Sequence, residues 1–487
     1  MGHREDKMSL AAKEKLDKIH AASIKILNET GMKLHSPEAV ALFAKAGQRT
    51  EGDRVFLTEE FIWSQLKQAP AKFVLEARNP EYNMTLGGNN RHYAAGYGCP
   101  AIYEADGSLR DATINDYIKF AKIIHQSPAF KINGGILAQP GEVAPDLASL
   151  AMVYAAMIHS DKCLFIVPET REKYLKIMDL CAALWGGKEK FTSAPHTMTM
   201  ISTLSPLQMD KMALDSIMLC AGHGQAMMIS PGPMAGATGP VTLAGNIALG
   251  NAECLVGLTL AQLVKPGTAV MYGLQATTSD LRTGAIAIGT PGYALQAKYC
   301  KSLASYYNLP CRCGGGVNDA KEVSAQSGYE AVLPIFTTAQ NGVDMIVHAT
   351  GILDSWAAIS YEKFMCDLDI ISMVEYFLSD IEVDDDSLAV DLIQQVGPGG
   401  IFLNQKHTRL RARTAPWYPK VAQRGPLGGG RVAEALIKNA QNEIDRLLSD
   451  YQAPFISPEI FAAVDKVMTD AGAKQSWLDS VKPKAQA

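Results

Sequence analysis

The sequence predicts an α/β protein: a (β/α)8 TIM barrel, preceded by N-terminal helices and a β-hairpin and followed by a C-terminal helical extension. Three observations lead there. Eight short apolar segments alternate with helical stretches between residues 93 and 351, the size and rhythm of such a barrel. Several segments are apolar nearly throughout, as strands covered on both faces are. The turn after the first segment reads GYGCPA. It lacks the GxGxxG spacing that an open, doubly wound nucleotide-binding sheet would show there.

Residues 1–92 read as an extension in front of the barrel. A helix over 8–30 carries Leu10, Leu16, Ile19, Ile24 and Leu27 at helical spacing. A second helix fits 37–47. A third fits 58–68, opened by Thr58 with Glu59 and Glu60 in its first turn. The segments FVLEARNP and YNMTLGG then read as short strands closed by turn residues. Residues 93–380 read as the barrel, with strands at 93–98, 131–139, 163–169, 197–202, 226–233, 269–277, 310–316 and 345–351. Helices between them fit 114–126, 144–159, 170–186, 206–222, 240–264, 291–307 and 322–340. Residues 381–487 read as an extension packing on the barrel. It holds an acidic run (DIEVDDDSLAVD), a GPGG turn, a basic and aromatic run (HTRLRARTAPWYPK) and a helix near 431–450.

Composition narrows the function. Of 487 residues, 47% are hydrophobic and 20% charged, and the net charge is −5. The basic residues are scattered, which argues against a nucleic-acid partner. No uninterrupted apolar run reaches the roughly 18–20 residues that span a bilayer, and the polar N-terminus does not read as a signal peptide. Nine cysteines without framework spacing read as reduced thiols, and the chain as a cytoplasmic protein and a homo-oligomer.

Barrels carry chemistry at the C-terminal ends of their strands. The residues there include Tyr97, Phe165, Tyr272, Arg312, His348 and Trp356. The group is rich in aromatic rings and amides and poor in paired carboxylates, unlike a glycosidase site. At the seventh strand, PCRCGGGVNDAK admits three readings. Cys311 and Cys313, two apart on a strand, share a face and could both touch one zinc ion, although no third ligand has matching spacing. The glycines, with a helix after them, could cradle a phosphate. Or Gly314, Gly315 and Gly316, lacking side chains, leave room for a bulky reactant at the mouth.

The seventh-strand lip GGGVNDAKEVSAQSGYE, the eighth-strand segment IVHATGILDS and the C-terminal GPGGIFLNQKHT…WYPK together resemble the trimethylamine:corrinoid methyltransferase family. The resemblance covers nearly the whole chain. It implies a TIM barrel that moves a methyl group from an N-methylated amine to the Co(I) centre of a separate corrinoid protein. It therefore implies corrinoid (cobalamin) on a cognate partner, no tightly bound metal of the chain's own, and Gly314–Gly316 facing the corrin. The founding trimethylamine enzymes carry pyrrolysine, and this chain holds only the twenty standard residues. Members without pyrrolysine are similar to enzymes for quaternary amines, with glycine betaine foremost.

Chemistry supports that division. A quaternary ammonium already carries its charge and leaves as a neutral amine, so no protein acid has to activate it. An aromatic cage suits such a cation, each ring contributing about 0.5–2 kcal/mol. Tyr97, Phe165, Tyr272 and Trp356 are the candidates, with His348 and Arg312 for the carboxylate of a betaine. Proline betaine, carnitine and trimethylamine are alternative substrates of the same reaction. A zinc-dependent thiol methyltransferase built on Cys311 and Cys313, and a non-catalytic quaternary-amine binder, are the alternatives of another class.

Overall fold

The computed structural model describes residues 10–88, 90–426 and 432–483. The fold is mixed α/β, and one set of strands organises it. Eight short parallel strands run β1 (His92–Tyr93), β2 (Ile132–Gly134), β3 (Cys163–Ile166), β4 (Thr197–Ile201), β5 (Ala226–Ile229), β6 (Val270–Tyr272), β7 (Arg312–Gly314) and β8 (Met345–Val347). Consecutive strands pair in parallel from β2 through β6. β7 pairs with β8, and β8 with β1. Parallel bridges Tyr93–Phe130 and Tyr272–Cys311 join β1 to β2 and β6 to β7. The eight strands therefore close into a ring with no free edge.

Closure explains the composition of the strands. Every residue of β3 and β5 is buried, because one face meets the ring interior and the other meets the helices. The connecting helices start where the sequence says they should. Thr113 opens Ile114–Gln126 with a reciprocal capping box to Asp116. Thr290 caps Pro291–Tyr306, with Pro at its first position. The eighth helix, Tyr361–Leu378, runs back along the ring from Ser360, its N-cap.

Leu243–Val264 is the helix most open to misreading. By length and apolarity it could cross a membrane, yet 17 of its 22 residues are buried inside the protein. The N-terminal helix Leu10–Lys25 lies against it, and Ser23 Oγ donates to Ala248 O at 2.8 Å. Residues 8 and 9, where the first helix was expected to begin, lie outside the described residues, as do 1–7 and 484–487. The helices Pro37–Lys45 and Glu59–Leu66 and the hairpin of Phe73–Leu75 with Met84–Leu86 agree with the expectation.

Three hairpins decorate the C-terminal ends of the strands and were not expected. Ala101–Tyr103 pairs with Leu109–Asp111, Thr278–Asp280 with Ala285–Ala287, and Ile352–Leu353 with Ala358–Ile359. Each falls in a stretch of Gly, Asp, Ser or Thr without clean alternation, where local pattern gives little signal.

Candidate functional site

The parity of β7 decides what its side chains meet, since successive residues of a strand point to opposite faces. Cys311 and Cys313 share one face, as expected, and it is the face toward the helix Pro291–Tyr306. Gln296 Nε2 lies 3.5 Å from Cys313 Sγ, and Cys300 Sγ donates to Arg312 O at 3.2 Å. Among the described residues, no group of three or more His, Cys, Asp or Glu is placed to hold a metal. Arg312 has the other parity and points into the ring.

The guanidinium of Arg312 is fully buried, and among the described residues no ion pair reaches it. Nη2 lies 3.0 Å from Met200 Sδ and 3.4 Å from His348 Nε2. Nε and Nη1 have no partner among the described residues. Burial pushes its pKa down. An isolated buried cation with two idle donors is expensive to maintain, and that expense marks the site.

His348 sits just past β8 with φ +56°, in the left-handed region. Its ring faces two donors, Arg312 Nη2 at Nε2 and Trp356 Nε1 at Nδ1, the latter at 3.5 Å. Burial and the Arg312 charge hold its pKa well below the usual imidazole range, so the ring is neutral. A neutral imidazole accepts through one nitrogen only, so it serves one of these two donors at a time.

The rings form a chain. Tyr97 stacks on Phe165 with centroids 4.6 Å apart and planes at 11°. Tyr97 meets His348 edge-on at 5.8 Å, and His348 meets Trp356 edge-on at 5.5 Å. Gly135 makes the stack possible. Its φ is +75°, and a Cβ there would lie 2.8 Å from both Phe165 Cδ1 and Tyr97 Cδ1. The Tyr97 hydroxyl is buried without a partner among the described residues.

Arg312, His348 and Trp356 line a cavity of about 450 Å3 at the C-terminal ends of the strands. Its other walls are Met200 and Met234, a polar group of Ser202, Thr203, Ser230, Gln275 and Thr277, and Ile286 of the hairpin above β6. Glu253 shapes the wall after β4. Its carboxylate accepts from Thr203 Oγ1, Ser205 Oγ and Leu207 N at 2.5–2.8 Å.

Of the six expected substrate-binding residues, Arg312, His348 and Trp356 line the cavity, whereas Tyr97 and Phe165 are buried, do not line it, and join the others only through the contacts between rings. Tyr272 is not among them. Its hydroxyl donates to Asn251 Oδ1 at 2.9 Å, out in the helix layer. The reason is parity: the neighbouring Gly273 points inward instead, where a Cβ would lie 2.5 Å from Ile229 O and 3.4 Å from Arg312 Cδ.

The three glycines after Cys313 also need correction as an open lip, because all are buried. A Cβ on Gly314 would lie 1.8 Å from Tyr293 Oη, on Gly315 2.6 Å from Ile346 Cγ2, and on Gly316 2.4 Å from Ala349 O. They let β7 end tightly against its neighbours. The phosphate reading fails because the donors of the stretch itself are taken: Gly315 N donates to Val347 O at 2.8 Å, Val317 N to Gly315 O at 2.9 Å and Asp319 N to Glu330 Oε2 at 2.8 Å. The Asp319 carboxylate accepts from Ile288 N and Gly289 N at 3.0 and 2.9 Å, and from Ser355 Oγ at 2.6 Å. With Asn318 Nδ2 donating to Ile352 O and the Lys321–Asp354 ion pair, this segment clamps the loop that carries Trp356. Residues 354–356 all have positive φ, a conformation that needs such a clamp.

The sequence reading missed Met200, Met234, Thr277 and Ile286. Met200 was recoverable from the alternation in TMTMIS, since Thr199 turns outward to Tyr174 Oη. Ile286 was not, because its hairpin was not.

A family model described as trimethylamine methyltransferase (MTTB) matches residues 2–472. The chain belongs to the trimethylamine methyltransferase family. Within curated proteins it is 39% identical over 473 residues to the glycine betaine methyltransferase of Desulfitobacterium hafniense (strain Y51), covering 97% of this chain and 99% of that one. It is 30% identical over 479 residues to the trimethylamine methyltransferase MttB of Methanosarcina barkeri, covering 94% and 95%. Among solved structures it is similar to the Methanosarcina barkeri monomethylamine methyltransferase (MtmB), with a TM-score of 0.53 and 12% identity over 94% of this chain and 88% of that one. A hydroxylamine complex of MtmB gives a TM-score of 0.54 at the same identity, over 96% and 90%. At that identity the likeness concerns the fold alone. The chain is a methyltransferase of this family.

Proposed function

We propose that the strand ring is a (β/α)8 barrel whose cavity binds a small quaternary-ammonium carboxylate, glycine betaine foremost, and passes one N-methyl group to a corrinoid borne by a separate protein. The observation that carries this reading is the buried Arg312 guanidinium with two unpartnered donors inside the cavity. Trimethylamine offers no anionic group to it, and its protonated form would add a second cation. A betaine brings a carboxylate, which can accept a charge-assisted bond from an idle donor, Nε beside Nη2 on one edge of the guanidinium or Nη1 beside Nη2 on the other, the two-pronged geometries that guanidinium favours. The similarity to a relative named glycine betaine methyltransferase points the same way.

The placement of the groups sets the orientation. Arg312 lies two residues below the end of β7, whereas His348 and Trp356 lie beyond the end of β8. A carboxylate held at Arg312 therefore leaves the trimethylammonium group on the side of the rings and the mouth. The neutral His348 adds no charge against the cation, and the aromatic faces attract it. Displacement of a quaternary nitrogen releases a neutral amine, so no lining residue has to donate or take a proton. The chain's own work is to fix the N–CH3 bond toward the mouth and to keep water out of the cavity.

The rim fits a broad flat acceptor. Leu204, Val241 and Leu281, from loops after β4, β5 and β6, are large apolar side chains left exposed there, and they would meet the macrocycle edge. When bound, the corrinoid supplies reduced cobalt as the methyl acceptor. All nine cysteines are unpaired, which supports a reducing, cytoplasmic setting.

Calorimetry with tetramethylammonium and glycine betaine tests the reading, because the two share the cation and differ in the carboxylate. Betaine should bind at least about 100-fold more tightly, the worth of a buried charge-assisted pair. Equal affinities would overturn the proposed role of Arg312.

A further inference from the structure

Two glycines on the inner face of the ring shape the ground around Arg312. The bridge Tyr272–Cys311 sets the register of β6 against β7. Continued, that register places Gly273 beside Arg312 and, two residues nearer the mouth, Gln275 beside Gly314. All four have the inward parity. The space that Gly273 leaves is filled by the Arg312 stem, since a Cβ there would lie 3.4 Å from Arg312 Cδ. The space that Gly314 leaves is filled from another element. Tyr293, the third residue of the helix Pro291–Tyr306, brings its hydroxyl oxygen to 1.8 Å from where a Gly314 Cβ would stand, and Gln275 Nε2 lies 3.5 Å from that same point. Gln275 and the Tyr293 hydroxyl therefore form one polar layer, roughly 7 Å above the Arg312 backbone at the rise of a strand.

The two members of this layer are placed differently. Gln275 lines the cavity together with Arg312. Its backbone N donates to Pro231 O at 2.8 Å, which fixes the main chain beneath the amide. Tyr293 stands behind it. That side chain is 1% exposed, and its hydroxyl has no hydrogen-bond partner among the described residues. A buried phenol without a partner is destabilising, as the idle donors of Arg312 are.

A bound carboxylate accounts for both. Its two oxygens offer about four acceptor positions, and one edge of a guanidinium meets two of them. A buried ion pair is favourable only when the remaining positions are met as well. Gln275 carries an amide donor on the strand next to Arg312, on the mouth side of it.

We infer that Gln275 is the second partner of the substrate carboxylate and the residue that sets the preference for a cation bearing an anion, with Tyr293 as its positioning residue. The inference rests on the carboxylate-binding role proposed for Arg312. The Gln275 amide turns Oε1 to accept from Tyr293 Oη and presents Nε2 to the carboxylate oxygen. Its neutrality is what matters. An amide donates to an anion without taking up the Arg312 charge. A glutamate of the same size would pair with Arg312 itself, and the site would then take a quaternary ammonium without a carboxylate.

Calorimetry on the full chain with glycine betaine and tetramethylammonium tests it in one series. Gln275→Leu should weaken betaine about 10- to 100-fold, the range of a hydrogen bond to a charged group, and leave tetramethylammonium within about threefold. Gln275→Glu should weaken betaine more than about 100-fold and tighten tetramethylammonium about tenfold, which inverts the preference. Tyr293→Phe should weaken betaine about fivefold by freeing the amide. Its Tm without ligand should not fall, because the hydroxyl has no bond to lose. A Gln275→Glu chain that still prefers betaine would overturn the inference. Equal losses for both ligands in Gln275→Leu would also overturn it and mark Gln275 as a packing residue. A native chain that binds the two ligands equally would remove the Arg312 reading and this one with it. A native preference for betaine that survives undiminished in Gln275→Leu would remove this one alone.

Discussion

Replacing Arg312 by Met separates binding from folding. The guanidinium is wholly buried, lacks an ion-pair partner among the described residues and has two donors without acceptors. In the free protein it is a desolvated charge, so an apolar side chain of similar length should leave stability unchanged or raise it. In the substrate complex it is one half of a buried charge pair. Truncating one partner of such a pair costs about 2–5 kcal/mol. Taking about 3 kcal/mol, the affinity for glycine betaine should fall by roughly two orders of magnitude. Calorimetry measures the first effect, and thermal unfolding without ligand the second. Saturating betaine should raise the Tm of the native chain and leave that of Arg312→Met nearly unmoved. An unchanged affinity would refute the carboxylate reading. A large loss of stability would show that Arg312 is structural, with Met200 and His348 as its purpose.

The geometry yields three further outcomes. Tyr272→Phe should leave betaine affinity unchanged and lower stability by about 1–3 kcal/mol, because Asn251 Oδ1 loses a buried donor; a weakened affinity with intact stability would return Tyr272 to the site. Gly135→Ala should cost at least tenfold in methyl transfer and about 1–3 kcal/mol in stability, since its methyl group would strike the Tyr97 and Phe165 rings at positive φ; wild-type activity would show that the stack is incidental. His159 is buried against Tyr451 and Val481 O, and burial lowers its pKa to about 4. The unfolded chain then binds the extra proton first, so this residue's stabilising effect holds above about pH 6.5 and is lost as pH falls toward 4, by about 1.4 kcal/mol per pH unit at most. His159→Asn should flatten the fall of unfolding free energy across that window, and an unaltered slope would contradict it.

The eight strands were legible because a closed ring buries both faces of each, and continuous apolar runs advertise that. The ends of those strands named Tyr97, Phe165, Arg312, His348 and Trp356 for the same reason: in such a ring, polar and aromatic residues at strand ends have few places to go. Tyr272 shows the limit. Whether a strand residue points inward depends on parity, and a one-residue difference, from Gly273 to Tyr272, moves a ring from the cavity to the helix layer. The Gly-rich stretch after Cys313 was legible as special and not as what it is. Its glycines answer to Tyr293, Ile346 and Ala349, contacts that no local pattern reveals. The loop carrying Trp356 owes its shape to Asp319 and Asn318, more than thirty residues earlier in the chain. The segment 379–416 reads as an acidic run and then a basic one, and only the exposure of its apolar residues in the structure sets it apart.

Methyl transfer itself is the most direct test. The protein is mixed under strict anoxia with chemically reduced cobalamin, then given glycine betaine or trimethylamine separately, and methylcobalamin is monitored by its absorption. Methylcobalamin should form with glycine betaine and not with trimethylamine. Transfer from trimethylamine alone would contradict the proposed function, because that substrate leaves the Arg312 guanidinium buried without a partner.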